Sequence, residues 1–258
     1  MPFADLHVHT TRSDGSLTAE ELPAAARRAG VRVVAITDHD VLAPFAEPVV
    51  DCEGITIVGG VELRVEPAGA ERIDLLGYGV ERTDELADAI EEIQRNRRER
   101  GRAVVDCVED RLGIDLDLDI GEGFGRPHVA RAVSEHPDMD LGFQDTFDEL
   151  IGSDGPCYVR REVPSFERGR RLLTDACRIV SLAHPLRYRD PAGALELAAD
   201  LDAVEREYPY HRPVDRGPID RAIERDGLLA TGGSDAHDDR LGVAGLSRET
   251  YRSLDLPG

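Results

Sequence analysis

The sequence predicts an α/β protein in which one barrel of parallel strands carries a mostly helical insertion. Strand-like and helix-like segments alternate up to residue 80 and again after residue 165, and repeated βα units of this kind build parallel sheets with right-handed crossovers. Histidines and acidic residues recur directly after the predicted strands. The length of 258 residues suits one α/β barrel, although length alone is as compatible with two domains.

The first run of alternating segments contains four predicted strands. Residues 31–37 (VRVVAIT) are rich in β-branched side chains, which is typical of a buried parallel strand. Thr18 and Glu21 have the spacing of a capping box, so a helix should open there and end at Gly30. The other predicted strands cover residues 3–8, 55–61 and 73–80.

The pattern changes after the fourth strand and then returns. Residues 84–112 form a long arginine-rich helical stretch with a possible break near Gly101, and short helices are predicted from about 127 to 151. We therefore expect residues 1–82 and 166–258 to form the barrel, and residues 83–165 to form a helical insertion at its mouth. In the second run the predicted strands are 179–183, 203–207 and 228–231, and the helices are 166–176, 191–199 and 218–225.

The chain is strongly acidic and contains no lysine. Its 31 basic residues, all arginine, stand against 52 acidic ones, which gives a net charge of −21. Phosphate backbones and lipid headgroups attract basic faces, so we expect neither a protein that coats nucleic acid nor one that binds anionic membranes. Arginine in place of lysine on an acidic surface also suggests a halophilic protein, whose carboxylates are screened by salt.

The cysteines and the N-terminus favour a cytoplasmic protein. Cys52, Cys107, Cys157 and Cys177 form no CxxC pair, which argues against zinc-finger and thioredoxin-type sites. We expect all four to be reduced thiols that behave as small apolar residues. The N-terminal MPFADLHVHT lacks the regions of a signal peptide, and no stretch approaches the ~18 apolar residues of a membrane helix.

Side chains that bind metals well follow the predicted strands. In a βα barrel the C-terminal strand ends meet at one mouth, where active sites lie. Residues that are distant in the sequence should therefore converge in one pocket. These residues are His7, His9, His39, Asp40, Glu62, His184, Asp235 and His237.

Each motif alone is weak evidence, but together they favour a metal site. His7 and His9 would share one face of a strand, as two ligands of one ion must, yet such a pair can equally be structural. Residues 37–40 (TDHD) could form a turn. Imidazole and carboxylate ligands without thiolate suit Mn, Zn or Fe. Because the ligands are too many for one ion, we expect two or three divalent ions.

At this point the motifs ADLHVHTTRSDGSLTAEEL, AITDHD, GVEL, SLAHP and GGSDAH resemble, in order, those of the PHP (polymerase and histidinol phosphatase) superfamily. They extend from Asp5 to His237, nearly the whole chain. The resemblance implies a distorted (β/α)7 barrel of TIM-like type with a trinuclear centre. It also implies hydrolysis of phosphoesters by metal-bound hydroxide.

The resemblance also assigns metal ligands, with one departure. Asp74 stands where the nearest branch of the family usually has a histidine before Leu-Leu-Gly-Tyr-Gly, so the third ion is the least certain. The implied ligands are His7, His9 and Asp235 for the first ion, Asp14, His39 and His237 for the second, and His184 for the third, with Glu62 bridging.

Three segments of the insertion, 125–131 (GRPHVAR), 143–151 and 157–159, are similar to those of 3′,5′-nucleotide bisphosphate phosphatases and related 5′–3′ exoribonucleases. In that branch the inserted segment supplies cationic contacts to the substrate phosphate, and an acidic residue at the position of Asp40 contacts substrate. The segment 95–102 could instead be a solvated face that pairs with acids. The substrate-binding candidates are Asp40, Arg97, Arg100, Arg126 and His128.

The expected function is hydrolysis of a phosphate ester in a small nucleotide, either a 3′,5′-bisphosphate or a nucleoside monophosphate, or at the 5′ end of a short single-stranded RNA or DNA. A phosphatase for another metabolite, such as histidinol phosphate, is the enzymatic alternative. A non-catalytic PHP module that binds a partner is the alternative from a different class. No membrane partner is expected, and the sequence identifies no protein partner.

Overall fold

The computed structural model describes residues 1–256, and these residues form two units. The first unit contains residues 1–90 and the chain from residue 163 onward, and the second contains residues 91–162. Helix α2 (Asp84–Leu112) begins in the first unit and continues into the second. No helix among residues 1–256 combines the length and the apolar character that a bilayer crossing needs.

The first unit is built on a curled sheet in the order β1-β2-β4-β5-β6-β7-β8, with β3 paired to β4 alone. An isolated parallel bridge between Val8 and Ala236 joins the first strand to the segment after the last one. The sheet therefore curls back on itself as a distorted seven-stranded barrel, which confirms the predicted fold class. The strands are β1 (Ala4–Val8), β2 (Val33–Ile36), β3 (Val49–Cys52), β4 (Ile55–Val65), β5 (Ile73–Tyr78), β6 (Ile179–Leu182), β7 (Ala203–Glu207) and β8 (Leu229–Gly232).

The prediction of a uniformly parallel sheet is wrong at β5. This strand runs antiparallel to both β4 and β6, whereas the pairs β1–β2, β2–β4, β6–β7 and β7–β8 are parallel. The physical reason lies in the connection, because the short segment 66–72 joins β4 to β5 as a hairpin, and a parallel crossover needs a dozen or more residues. The start of β5 consequently lies beside the end of β4.

The helices of the first unit pack on the sheet through apolar side chains. Leu22, Ala25 and Ala26 of α1 join Ile36 and Ile57 of the sheet in one buried cluster. A second cluster unites residues of six strands with Tyr251 in the last helix. That helix and β3 were not predicted. The helices are α1 (Leu22–Ala29), α2 (Asp84–Leu112), α5 (Phe166–Ala176), α6 (Pro191–Leu197), α7 (Gly217–Asp226) and α8 (Arg248–Ser253).

The second unit is helical and has its own apolar core. It contains most of α2, then α3 (Arg126–Glu135), α4 (Phe143–Thr146) and a π-helical turn, Phe147–Ile151. The predicted break near Gly101 does not occur, since α2 continues through this residue. A Cβ atom at Gly101 would lie 2.7 Å from the ring of Phe124. The glycine at position 101 is therefore explained by close packing against Phe124 and not by the end of a helix.

A disulfide corrects the expectation of four reduced cysteines. Cys107 of α2 is bonded to Cys157, with 5.6 Å between the Cα atoms, while Cys52 and Cys177 are free thiols. The two bonded residues are 50 positions apart and meet because they join the same apolar cluster of the second unit. Spacing along the chain does not reveal such a pairing. The cysteines therefore no longer support a reducing compartment.

Candidate metal centre

The predicted metal ligands of the first unit gather at one end of the sheet. His7 and His9 lie at the end of β1 and just after it, and His184 follows β6. Asp74 joins them because β5 runs in the opposite direction, so its first residues, not its last, lie at this end. Eight of the predicted ligands fall into three overlapping groups with ligand atoms within 4.8 Å of one another, namely His9, Asp14, His39 and His237, then His7, His9 and Glu62, and finally Glu62, Asp74 and His184.

Glu62 lies at the centre of these groups. Its carboxylate is buried, and Oε2 lies 2.7 Å from Nδ1 of His39 and 3.4 Å from Nε2 of His9. The other oxygen, Oε1, lies 3.1 Å from Nε2 of His184 and 3.6 Å from Nε2 of His7. One carboxylate is therefore within reach of four imidazoles.

Asp235 completes the set of predicted ligands. Its Oδ1 lies 3.1 Å from Nε2 of His9 and 3.4 Å from Nε2 of His7. Its Oδ2 accepts hydrogen bonds from the hydroxyl of Tyr208 at 2.7 Å and from Arg187 at 3.1 Å. One oxygen thus faces the imidazoles while the other is held in place by the protein.

Asp14 and Asp74 lie at opposite sides of the cluster. Asp14 Oδ1 is 3.3 Å from Nε2 of His237, and Oδ2 is 3.9 Å from Nε2 of His39. Asp74 Oδ2 is 3.8 Å from Nε2 of His184. The predicted ligands are therefore spread over a site wide enough for more than one cation.

Several buried atoms of this cluster lack a hydrogen-bond partner among the described residues. They include Nε2 of His7 and Nδ1 of His9. Nε2 of His9, Oδ1 of Asp14 and Oε2 of Glu62 also belong to this set, because they lie close to ionisable neighbours but in directions that do not suit a hydrogen bond. Buried polar atoms are nearly always hydrogen-bonded in folded proteins. Divalent cations coordinated by these nitrogen and oxygen atoms would satisfy them, so the residues present fit a metal centre.

The histidines and carboxylates also perturb one another strongly. Burial alone would lower the pKa of His39, but the charges of Glu62 and Asp14 outweigh it and raise the pKa to about 9. Burial would raise the pKa of Glu62, yet the neighbouring His39 and His7 hold it well below its usual range. In the absence of ions, protons on imidazoles balance the carboxylates, and bound cations would take over that role.

Glu205 supports two predicted ligands and was missed in the sequence. Its buried carboxylate contacts Nδ1 of His7 at 2.9 Å and accepts the backbone N–H of His184 at 2.7 Å. When a histidine binds a metal through one ring nitrogen, a carboxylate that is hydrogen-bonded to the other ring nitrogen fixes the orientation of the ring. The signal that could have revealed it is an acidic residue within the otherwise apolar start of β7.

Two further buried aspartates were also missed. Asp38 accepts hydrogen bonds from the backbone and hydroxyl of Thr10, both at 2.7 Å, and from the hydroxyl of Ser13 at 2.6 Å. It thereby fixes the loop that carries Asp14. Asp5 accepts from the backbone and hydroxyl of Ser234 at 2.8 and 2.6 Å, which anchors the loop with Asp235.

Three residues of the site have left-handed backbone conformations. Asp40, His184 and Asp235 have φ angles of 54°, 29° and 50°. Such conformations are uncommon for residues other than glycine and cluster at functional sites, where the surrounding structure holds them. Asp40 is also buried, and its Oδ1 accepts the backbone N–H of Arg64 at 3.3 Å.

A cavity of about 440 Å³ opens over the cluster, and both acidic side chains and arginines line it. Arg64, Arg72 and Arg187 line it together with Tyr188. Arg187 also donates to the hydroxyl of Tyr208 at 2.9 Å. The cavity therefore places guanidinium groups beside the carboxylates of the cluster.

The other predicted substrate contacts lie in the second unit and are partly engaged there. Arg97 is buried and donates to the carbonyls of Gly123 and Phe124, at 2.8 and 3.1 Å. Arg100 donates to the carbonyl of Val159 at 2.6 Å. Burial, followed by the charges of Arg126 and other arginines, lowers the pKa of Arg100 to about 10.

Arg126 and His128 stand at the start of α3. The guanidinium of Arg126 donates to the carbonyl of Ile151 at 2.9 Å and lies 5.6 and 5.8 Å from the ring centres of Phe147 and Tyr158. Nδ1 of His128 accepts the backbone N–H of Gly125 at 3.1 Å. The second unit thus collects cationic side chains, and their role toward substrate remains a prediction.

Comparison with known families shows the family to which the chain belongs. The family model described as the PHP domain matches residues 5–153, which is more than half of the chain. The chain belongs to the PHP family. The resemblance expected from the motifs is confirmed, and this PHP protein is a hydrolase of phosphoric esters, as predicted.

Three curated proteins are similar to this PHP protein over most of its length. A phosphoribosyl 1,2-cyclic phosphate 1,2-diphosphodiesterase of Eggerthella lenta is 28% identical over 90% of this chain and 93% of its own. A 3′,5′-nucleoside bisphosphate phosphatase of Chromobacterium violaceum is 28% identical over 100% and 93%. The 5′-3′ exoribonuclease Rnm of Salmonella typhimurium is 29% identical over 90% and 84%.

The fold has a close counterpart among solved structures. A metal-dependent phosphoesterase of Bifidobacterium adolescentis superposes with a TM-score of 0.78 at 23% identity, over 97% of this chain and 94% of the other. This similarity supports the PHP-type architecture of the first unit and its insertion. At this identity it carries no information about the substrate.

Proposed function

We propose that this PHP protein hydrolyses a phosphate ester of a small nucleotide, a 3′,5′-bisphosphate or a nucleoside monophosphate, or acts on the 5′ end of a short oligonucleotide. The observation that carries the proposal is the combination of buried metal-type ligands and three arginines in one cavity. Two of the similar proteins carry names that refer to nucleotide or RNA substrates, which supports this choice.

Two groups of residues are suited to hold divalent ions, which we propose to be Mn, Zn or Fe. One combines His7, His9, Glu62 and Asp235, and the other combines Asp14, His39 and His237. Ions bound there would lower the pKa of a coordinated water and neutralise charge on a phosphoryl group.

The protein's own side chains would orient these ligands and attract the substrate. Glu205 and Tyr208 hold His7 and Asp235 in place through hydrogen bonds of 2.9 and 2.7 Å. Arg187 and Arg72, on the cavity wall, offer guanidinium groups to phosphate oxygens, which they bind in a planar, two-pronged geometry. Fixing the ester in this way supplies the positioning that phosphoryl transfer needs.

A second set of contacts is proposed for the non-reacting part of the substrate. Arg97, Arg100 and Arg126 form a cationic group in the helical unit, and His128 offers an imidazole beside Arg126. The ring stacking of Arg126 keeps its guanidinium in a defined position. Asp40 would contact substrate beside the metal ligands rather than bind an ion.

The test is a screen of the purified protein, loaded with Mn²⁺, for release of inorganic phosphate or of a mononucleotide. The substrates are adenosine 3′,5′-bisphosphate, a nucleoside monophosphate, a 5′-phosphorylated short RNA, histidinol phosphate and phosphoribosyl 1,2-cyclic phosphate. We expect kcat/KM for at least one nucleotide to exceed that for histidinol phosphate by about tenfold or more, since phosphate-binding arginines should favour substrates with additional phosphate or base contacts. Metal-loaded protein that releases nothing from any of these esters would contradict the proposal.

The alanine variant of both Asp235 and His237 serves as the matched control. It should lose most of its bound metal and all phosphate release, because it removes ligands on both sides of the cluster. Full metal content in this variant would instead favour a non-catalytic module that binds a partner.

A further inference from the structure

Arg64 and Asp74 form an ion pair inside the cavity of the metal centre. They are directly opposite each other in the antiparallel pairing of β4 and β5. Nε of Arg64 donates to Oδ1 of Asp74 at 2.7 Å, and NH2 donates to Oδ2 at 2.5 Å. Both oxygens of this buried carboxylate are thus engaged by one planar cation.

This pairing changes the charge of the third ligand group. Glu62, Asp74 and His184 make up that group, and Glu62 is shared with the group that includes His7 and His9. Because Arg64 balances the charge of Asp74, the third group retains only the negative charge of Glu62, and it shares Glu62 with the group of His7 and His9. A divalent ion placed there would have to share the oxygens of Asp74 with a group of the same sign.

The guanidinium also stays charged at every physiological pH. An arginine guanidinium is not deprotonated in proteins. Moving the ion pair apart to admit a metal would leave a partly buried cation without its partner, which is unfavourable. The residues present therefore fit two ions well and a third ion poorly.

We propose that the Arg64 guanidinium takes the place of a third cation in this centre, so that the chain holds two tightly bound ions and Arg64 supplies the remaining positive charge beside Asp74. The inference rests on the proposed metal-dependent function. It explains why aspartate can stand at position 74, since a carboxylate pairs with arginine in two-pronged geometry and a neutral imidazole does not.

The experiment measures metal content directly. Protein saturated with Mn²⁺ is freed of loosely bound ions on a desalting column and analysed by elemental mass spectrometry, beside a calorimetric Mn²⁺ titration. Wild type should retain two ions per chain. Arg64→Leu removes the competing cation and leaves Asp74 to attract metal, so we expect a third ion that binds about tenfold or more tightly than any third ion in wild type.

Arg72→Leu is the matched control. Arg72 lines the same cavity but pairs with Glu66 at 3.2 Å and not with Asp74, so it should leave the content at two ions. Because Arg64→Leu exposes an unpaired buried carboxylate, its thermal unfolding is measured with and without Mn²⁺. A larger stabilisation by Mn²⁺ than in wild type supports the proposal.

Three equivalent ions in wild type would overturn the inference, and so would an unchanged count of two in a folded Arg64→Leu protein. These outcomes are independent of the substrate screen. A chain that holds two ions and hydrolyses none of the esters refutes the proposed function while leaving the role of Arg64 intact.

Discussion

Glu205 provides a sensitive test of how the fold supports the metal centre. Its two oxygens contact Nδ1 of His7 at 2.9 Å and the backbone N–H of His184 at 2.7 Å. Glu205→Gln preserves the size of the side chain but replaces one acceptor oxygen by an NH2 group. The backbone N–H of His184 donates a hydrogen bond and cannot accept one from an NH2 group. The new NH2 group must therefore face the ring of His7, or else it repels the backbone N–H of His184.

The expected loss follows from these contacts. Removing an outer partner of a metal-binding histidine weakens metal affinity by about 10–100-fold, which corresponds to about 1.4–2.8 kcal/mol. We expect the dissociation constant for Mn²⁺, measured by calorimetry, to rise by such a factor. The free energy of unfolding of the metal-free protein, from urea titration, should fall by about 1.5–3 kcal/mol because a buried hydrogen bond to a charged group is lost.

Glu207→Gln is the control for this variant. Glu207 lies on the same strand but pairs with Arg206 and Arg216 instead of with a histidine. Its replacement should leave the affinity for Mn²⁺ unchanged. If Glu205→Gln bound Mn²⁺ as tightly as wild type, the carboxylate would not orient His7, and the reasoning would be refuted.

Three other predictions concern pH, packing and the disulfide. The pKa of His39 is about 9 without ions, so metal must displace its proton at neutral pH, and affinity for Mn²⁺ should rise between pH 6 and 9 with proton release in calorimetry. Gly101→Ala should lower the free energy of unfolding in urea, because a clash 2.7 Å from the ring of Phe124 costs ~1–3 kcal/mol against at most ~1 kcal/mol gained in helix propensity. The double variant Cys107→Ser, Cys157→Ser opens a link of 50 residues and should destabilise the helical unit by about 2–4 kcal/mol in thermal unfolding.

Each of these predictions has a result that contradicts it. Affinity for Mn²⁺ that is constant across the pH range would mean that His39 carries no proton to displace. Equal or greater stability of Gly101→Ala would show that the ring of Phe124 moves aside freely. A double variant that unfolds at the same temperature as wild type would show that the bond between Cys107 and Cys157 contributes little to the stability of the second unit.

The strands and most of the predicted ligands could be inferred from the sequence because their signals are local. The strand of residues 31–37 is apolar on both faces, and histidines stand where predicted strands end. In contrast, the direction of β5 depends on a short connection to β4, and neither its apolar pattern nor its length differs from that of a parallel strand. The pairing of Arg64 with Asp74 follows from that direction and could not be foreseen.

The supporting carboxylates were hidden for a similar reason. Glu205, Asp38 and Asp5 are assigned to no predicted ion. Glu205 lies outside every motif, while Asp5 and Asp38 lie inside two motifs whose histidines already account for the predicted metal binding. Their function becomes visible only when their partners, such as the backbone of His184 and of Ser234, are placed around them. In a chain this rich in acidic residues, the sequence does not distinguish these three from surface carboxylates. Their complete burial in the structure does.

The amino-acid sequence was sufficient to infer the family, the barrel and the identity of the side chains at the mouth, because hydrophobic periodicity and motifs can be recognised along the chain. The packed fold was needed to learn which oxygen faces which nitrogen, that Arg64 neutralises Asp74, and that Cys107 meets Cys157. These contacts join residues brought together by chain reversal and packing. Their energies depend on distance and burial, which a linear pattern does not contain.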